Sequence, residues 1–87
     1  MKLSQVKKDK ISEQILSHLY HLYPQSRFTA EIARELARDE EFIKALMLEL
    51  QKKSLVTAIK KNPAGIDYER RIKWRLSNNS YSAYKSL

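Results

Sequence analysis

The stretch from Asp39 to Val56, DEEFIKALMLELQKKSLV, constrains the fold more than any other part of the chain. Ile43, Leu46, Met47 and Leu50 fall at i, i+3, i+4 and i+7, the apolar stripe of an amphipathic helix. Asp39 suits the N-cap, Glu40 and Glu41 suit the positive end of the helix dipole, and Lys52 and Lys53 suit the negative end. The period then changes, and Leu55, Val56, Thr57, Ala58 and Ile59 read as a strand entered straight from the helix. The rest of the chain must be organised around that helix-to-strand passage.

Upstream, Ile11, Ile15, Leu16, Leu19, Leu22 and Tyr23 mark a first amphipathic helix from about Asp9 to Tyr23. Pro24 ends it, because the residue before a proline is pushed out of the α region. Residues 1–8 are polar and basic, either frayed or an extension of that helix. After a short polar loop, Phe28 is expected to return the chain to the core. Thr29 is expected to cap a brief second helix that buries Ile32, Ala33 and Leu36, and Ala37 and Arg38 turn into Asp39.

Downstream, Asn62, Pro63, Ala64 and Gly65 match the residue preferences of a type I turn. Tyr68, Arg70, Ile72, Trp74 and Leu76 then alternate with Glu69, Arg71, Lys73 and Arg75. This alternation predicts a half-buried antiparallel strand with Arg71, Lys73 and Arg75 facing outward. Ser77 caps a short last helix with Tyr81, Tyr84 and Leu87 on one side. One core is expected, built from Ile15, Leu19, Ile32, Leu36, Leu46, Leu50, Ile72 and Trp74.

The chain has 87 residues, enough for a single small domain over 1–87. Its formal charge is +7, divided as +3 over residues 1–11, −3 over 12–51 and +7 over 52–87. Positive charge concentrated at the two ends favours a polyanionic partner, nucleic acid before an anionic membrane. The plainer alternative is a charged, solubilising surface. With no cysteine there is no disulfide framework and no Cys-containing metal site. His18 and His21 lie three apart on the first helix, but no third ligand type clusters with them, so solvated histidines are expected and no metal. No nucleophile–base pair or phosphate-cradling glycine loop is legible, so neither an enzyme nor a cofactor is expected. Without a long apolar run or a cleavage-like start, the expected location is the cytoplasm and no membrane is expected as a partner.

The segments FTAEIARELA, DEEFIKALMLELQKKSLV and KWRLS, in this order, resemble the winged helix-turn-helix domain of bacterial and archaeal transcriptional regulators, the MarR and PadR types among them. The resemblance runs from about Ile11 to Leu87. It implies an α+β, mostly α fold: a three-helix bundle, a β-hairpin wing and a short C-terminal helix. It also implies binding to double-stranded DNA, with the third helix in the major groove and the wing along the backbone or minor groove. Lys60, Lys61, Arg70, Arg71, Lys73 and Arg75 would act from the wing, and Arg27, Arg34 and Arg38 would steady the second helix on phosphate. Lys44 and Lys52 would flank the groove, with Ala45 and Leu48 against thymine methyls. A nucleoid-associated homodimer with Tyr81, Tyr84 and Leu87 at its seam completes the expectation.

Two features depart from that pattern. Ser54 stands where these regulators usually have glycine, so a less sharply turned helix end is expected. Glu40 and Glu41 open the third helix, where they repel phosphate, although glutamate can accept a hydrogen bond from cytosine N4. An acidic start and an outward Leu48 also suit the alternative, a winged helix used as a protein-protein interaction module. RNA binding and a replication or plasmid-maintenance role stay open, and no small-molecule ligand can be read from the sequence.

Overall fold

The computed structural model describes residues 5–67 and 71–86. The elements are α1 (Gln5–Leu22), β1 (Arg27–Phe28), α2 (Thr29–Glu35), α3 (Glu40–Lys52), β2 (Val56–Ile59), β3 (Lys73–Leu76) and α4 (Asn78–Lys85). This is the expected winged-helix architecture, mostly helical with a small antiparallel sheet in the strand order β1-β3-β2. Residues 5–8 belong to helix α1, as an extension of the expected helix.

Helix α3 forms as its sequence dictates. Asp39 Oδ2 accepts the Phe42 N–H at 3.0 Å, and Ile43, Leu46, Met47 and Leu50 are buried. Helices α2 and α3 end by the same device, a Schellman turn. After α2, the Arg38 N–H donates to the Ala33 carbonyl (2.9 Å) and the Ala37 N–H to that of Arg34 (3.2 Å). After α3, the Leu55 N–H donates to Leu50 (3.0 Å) and the Ser54 N–H to Gln51 (2.9 Å). Both turns need a left-handed residue, and Ala37 (φ 54°) and Ser54 (φ 62°) fill the positions that glycine favours. The expectation of a looser turn at Ser54 is therefore corrected. The turn is made in full, at a strain of roughly 1–2 kcal/mol for each residue with a Cβ.

Strand β3 sits in the middle of the sheet. It pairs with β2 through Val56 with Leu76, Thr57 with Arg75, Ala58 with Trp74 and Ile59 with Lys73. On its other edge, Arg27 lies opposite Trp74 and Phe28 opposite Lys73. Trp74 and Leu76 point inward and are fully buried. A buried indole N–H needs an acceptor, and Thr29 Oγ1 supplies it at 2.8 Å. The Thr29 hydroxyl and N–H in turn both donate to the Ile72 carbonyl, at 3.4 and 3.2 Å. Thr29 is thus the first residue of α2 rather than its cap. Phe28 takes the N-cap position, and its N–H donates to Glu31 Oε1 at 2.8 Å.

The single core contains Ile15, Leu19, Ile32, Leu46, Leu50 and Trp74 as expected, with Leu36 and Ile72 half-buried at its edge. Ile11, Leu16, Ala33, Ile43, Met47, Val56 and Leu76 complete it. Ser77 caps α4, its Oγ accepting the Ser80 N–H at 3.1 Å. The helix then lies on the end of α1. Tyr81 stacks on Tyr23 with 3.9 Å between centroids, Tyr84 lies 5.6 Å from Tyr20, and the Tyr23 hydroxyl donates to Asn78 Oδ1 at 2.6 Å.

Candidate nucleic-acid interface

The wing begins with a turn that Asn62 holds together. Its carbonyl accepts the Gly65 N–H at 2.8 Å, the i to i+3 bond of the expected turn, and Gly65 has φ 83°. Asn62 Oδ1 accepts the N–H groups of Ala64 and Ile66, both at 2.9 Å, and the Asn62 N–H donates to the Ile66 carbonyl at 2.8 Å. Below this tip, Lys60 and Lys61 are exposed on the stem, where the Lys61 backbone pairs with that of Asp67 in an isolated antiparallel bridge. Arg70 and Tyr68 lie outside the described residues.

Strand β3 begins only at Lys73, so of the cations expected on its outer face Lys73 and Arg75 lie on the strand and Arg71 lies two residues before it. Because β1 pairs with β3, Phe28 lies on this face, a correction to its expected place in the core. The Arg71 guanidinium sits 3.8 Å over the Phe28 ring and the Lys73 ammonium 4.9 Å from it. Such contacts contribute about 0.5–1 kcal/mol near a surface. At the far end of β3, Arg75 donates to the Leu76 carbonyl and to Asn78 Oδ1, both at 3.2 Å. The long side chains of this face are thereby held by the fold.

Lys44, Ala45, Leu48 and Lys52 are exposed on α3, as their helical phase requires. Glu40, Glu41, Lys44 and Arg71 share one cleft of about 230 Å3, walled by Phe28, Thr29, Ala30 and Ile72. Two carboxylates thus face the same space as two cations, and the attraction of Lys44 and Arg71 for phosphate is opposed there. The remaining expected contacts are dispersed. Arg27 is half-buried and donates to the Ser26 carbonyl (3.0 Å) and Gln25 Oε1 (3.3 Å), while Arg34 is exposed near the end of α2. Arg38 shares a surface cleft with Lys7, Lys10, Ile11 and Gln14, so it is grouped with α1.

Tyr81 and Tyr84 engage Tyr20 and Tyr23 within the chain, and Leu87 lies outside the described residues. His18 is half-buried and His21 exposed. Among the described residues, no group of three or more His, Cys, Asp or Glu side chains is placed to hold a metal ion, and no helix is long and apolar enough to cross a membrane. Sequence reasoning missed Phe28 as the organiser of the outward cations and missed Lys7 and Lys10 beside Arg38. The alternation of β3 was visible, but the strand that brings Phe28 beneath it is only two residues long.

No protein-family model matches this chain, and no curated protein matches it. Its structure is similar to that of MepR, a transcription regulator of the Staphylococcus aureus multidrug efflux pump MepA, with a TM-score of 0.69 and 20% identity. The match covers 87% of this chain and 52% of MepR, so the chain spans about half the length of that protein. At this identity the similarity shows a shared winged-helix fold.

Proposed function

We propose that this protein binds duplex DNA and serves as a transcriptional regulator in the cytoplasm, with α3 directed to the major groove and the wing to the backbone or minor groove. The observation that carries this reading is the pair Arg71 and Lys73, stacked on Phe28 on the outer face of the wing. Phosphate contacts dominate protein–DNA affinity, and cations already ordered in the free protein lose less side-chain entropy on binding. Exposed Lys60 and Lys61 extend the same charge along the stem. The similarity to MepR supports the regulatory part. Arg70, Lys44, Lys52 and the α2 arginines would add contacts, with Ala45 and Leu48 facing base edges. A homodimer belongs to the same reading. Tyr81 and Tyr84 already stack on α1, so sedimentation at micromolar concentration is its direct test.

A second reading, a protein-docking module, is favoured by one observation. Leu48 is 41% exposed on a helix that begins with two exposed glutamates.

The deciding experiment is a duplex titration over a range of salt. Neutralisation of about five phosphates gives a slope of log K against log[salt] near −4.5. Arg71→Gln with Lys73→Gln should weaken binding to all sequences alike and flatten the slope by up to about 2. Duplex affinity unmoved by this pair removes the outer face of the wing from the interface.

A further inference from the structure

The tip of the wing differs from its stem. Lys60 and Lys61 are charged and exposed, whereas Pro63, Ala64, Gly65 and Ile66 present an uncharged, exposed apex. Ile66 is the largest side chain there and is 64% exposed. Scattered apolar residues on a surface are ordinary, but this one is held in place. Asn62 accepts the Ile66 N–H through Oδ1 at 2.9 Å and donates its own N–H to the Ile66 carbonyl at 2.8 Å. Both backbone groups of Ile66 are therefore fixed, and a β-branched side chain has few rotamers to lose. The turn that carries it is narrow, made of proline, alanine and glycine.

We propose that Ile66 is an apolar wedge for the DNA minor groove, entering one base step and partly unstacking it while Lys60 and Lys61 hold the adjacent phosphates. This rests on the duplex-binding reading and adds a mechanism of sequence selection to it. A tip without charge gains nothing from phosphate, but its apolar surface fits between bases, where isoleucine and similar side chains kink the duplex. The favoured step is pyrimidine–purine, because such steps unstack most easily. Sequence preference then comes from deformability read by the wing. That complements α3, whose first turn offers the carboxylates of Glu40 and Glu41 to the groove rather than donors.

The test uses the full chain and duplexes carrying 2-aminopurine at successive positions, with donor and acceptor dyes on their ends. The parent protein should raise 2-aminopurine fluorescence at one pyrimidine–purine step and shorten the end-to-end distance. Ile66→Ser should abolish both signals and lower affinity about tenfold, with the salt slope unchanged, because the phosphate contacts remain. Ile66→Leu should keep both signals. Lys60→Gln with Lys61→Gln should flatten the slope yet leave the distortion in the saturated complex. Ile66 is exposed at a turn, so circular dichroism of the serine variant should match the parent. A parent protein that binds duplex without unstacking or bending it overturns the wedge and leaves the DNA-binding reading standing. So does an Ile66→Ser variant with unchanged distortion. A parent that binds no duplex overturns both. An Ile66→Ser variant whose only change is lost self-association in sedimentation reassigns the tip to protein contact.

Discussion

The outward face of α3 and the outward face of β3 differ in how their charges are held. On α3, Lys44 shares a cleft with Glu40 and Glu41, which Arg71 enters from the wing side. On the sheet, Arg71 and Lys73 rest on the Phe28 ring and Arg75 is tied to Asn78. A helix face is generated by a local period, which sets the direction of each side chain but leaves its far end to solvent. A sheet face is generated by neighbours brought from elsewhere in the chain, and these can grip a long side chain. Ordering lysine or arginine opposes binding by up to ~2 kcal/mol of lost rotamer freedom, so in the proposed DNA complex Lys73 and Arg75, ordered and outside the cleft of Glu40 and Glu41, would be the better electrostatic contacts. The helix face, with Ala45 and Leu48 between its charges, is better suited to discrimination among bases or to a protein partner.

Both faces rest on one core, so the largest effect comes from removing what they share. Leu46 is buried beneath α3, and Leu46→Ala should lower stability by about 2–5 kcal/mol, much of what a domain this small possesses. Urea unfolding measures this, and a variant that unfolds like the parent would contradict α3 as the central element.

Next in size is the change that asks what the helix face does. Leu48→Ala should alter preference at one or two base pairs by about 1 kcal/mol while non-specific affinity is kept, since phosphate contacts are untouched. Selection from a randomised duplex pool reads this directly. If α3 docks protein instead, the same variant spares DNA and loses self-association or partner capture, by ~2 kcal/mol or more for a central anchor. Unchanged preference with disrupted sedimentation would favour the docking module.

The smallest effect sharpens the contrast itself. Phe28→Leu keeps every charge and removes the ring on which two cations lie. Duplex affinity at low salt should fall by about 0.5–1 kcal/mol with no change in salt slope. Equal affinity in parent and variant would mean that the ring does not organise the contact, whatever the charges do.

Much of this molecule was legible because its causes are local. The stripe Ile43, Leu46, Met47 and Leu50, the Asp39 and Ser77 caps, the turn at Asn62 and the inward Trp74 and Leu76 each follow from residues a few positions apart. Other features were settled by partners remote in sequence. The two-residue strand β1 has no period to read, and it exists because its edge pairs with β3. That pairing moved Phe28 from the core, where its apolar character pointed, to the outer face under Arg71 and Lys73. It also gave Thr29 a buried tryptophan to satisfy in place of a cap to make.

Spacing alone put Tyr81 and Tyr84 on one side of the last helix; only the packed chain decided that this side meets Tyr20 and Tyr23. The absence of glycine at Ser54 pointed to a looser turn, yet Ser54, like Ala37, adopts left-handed backbone and both turns keep their full pair of hydrogen bonds. Helix period, capping and turn chemistry are properties of short segments and survive in the sequence. Edge pairing, ring stacking and tolerated strain depend on which surfaces remain uncovered once the core has closed, and that is a property of the whole fold.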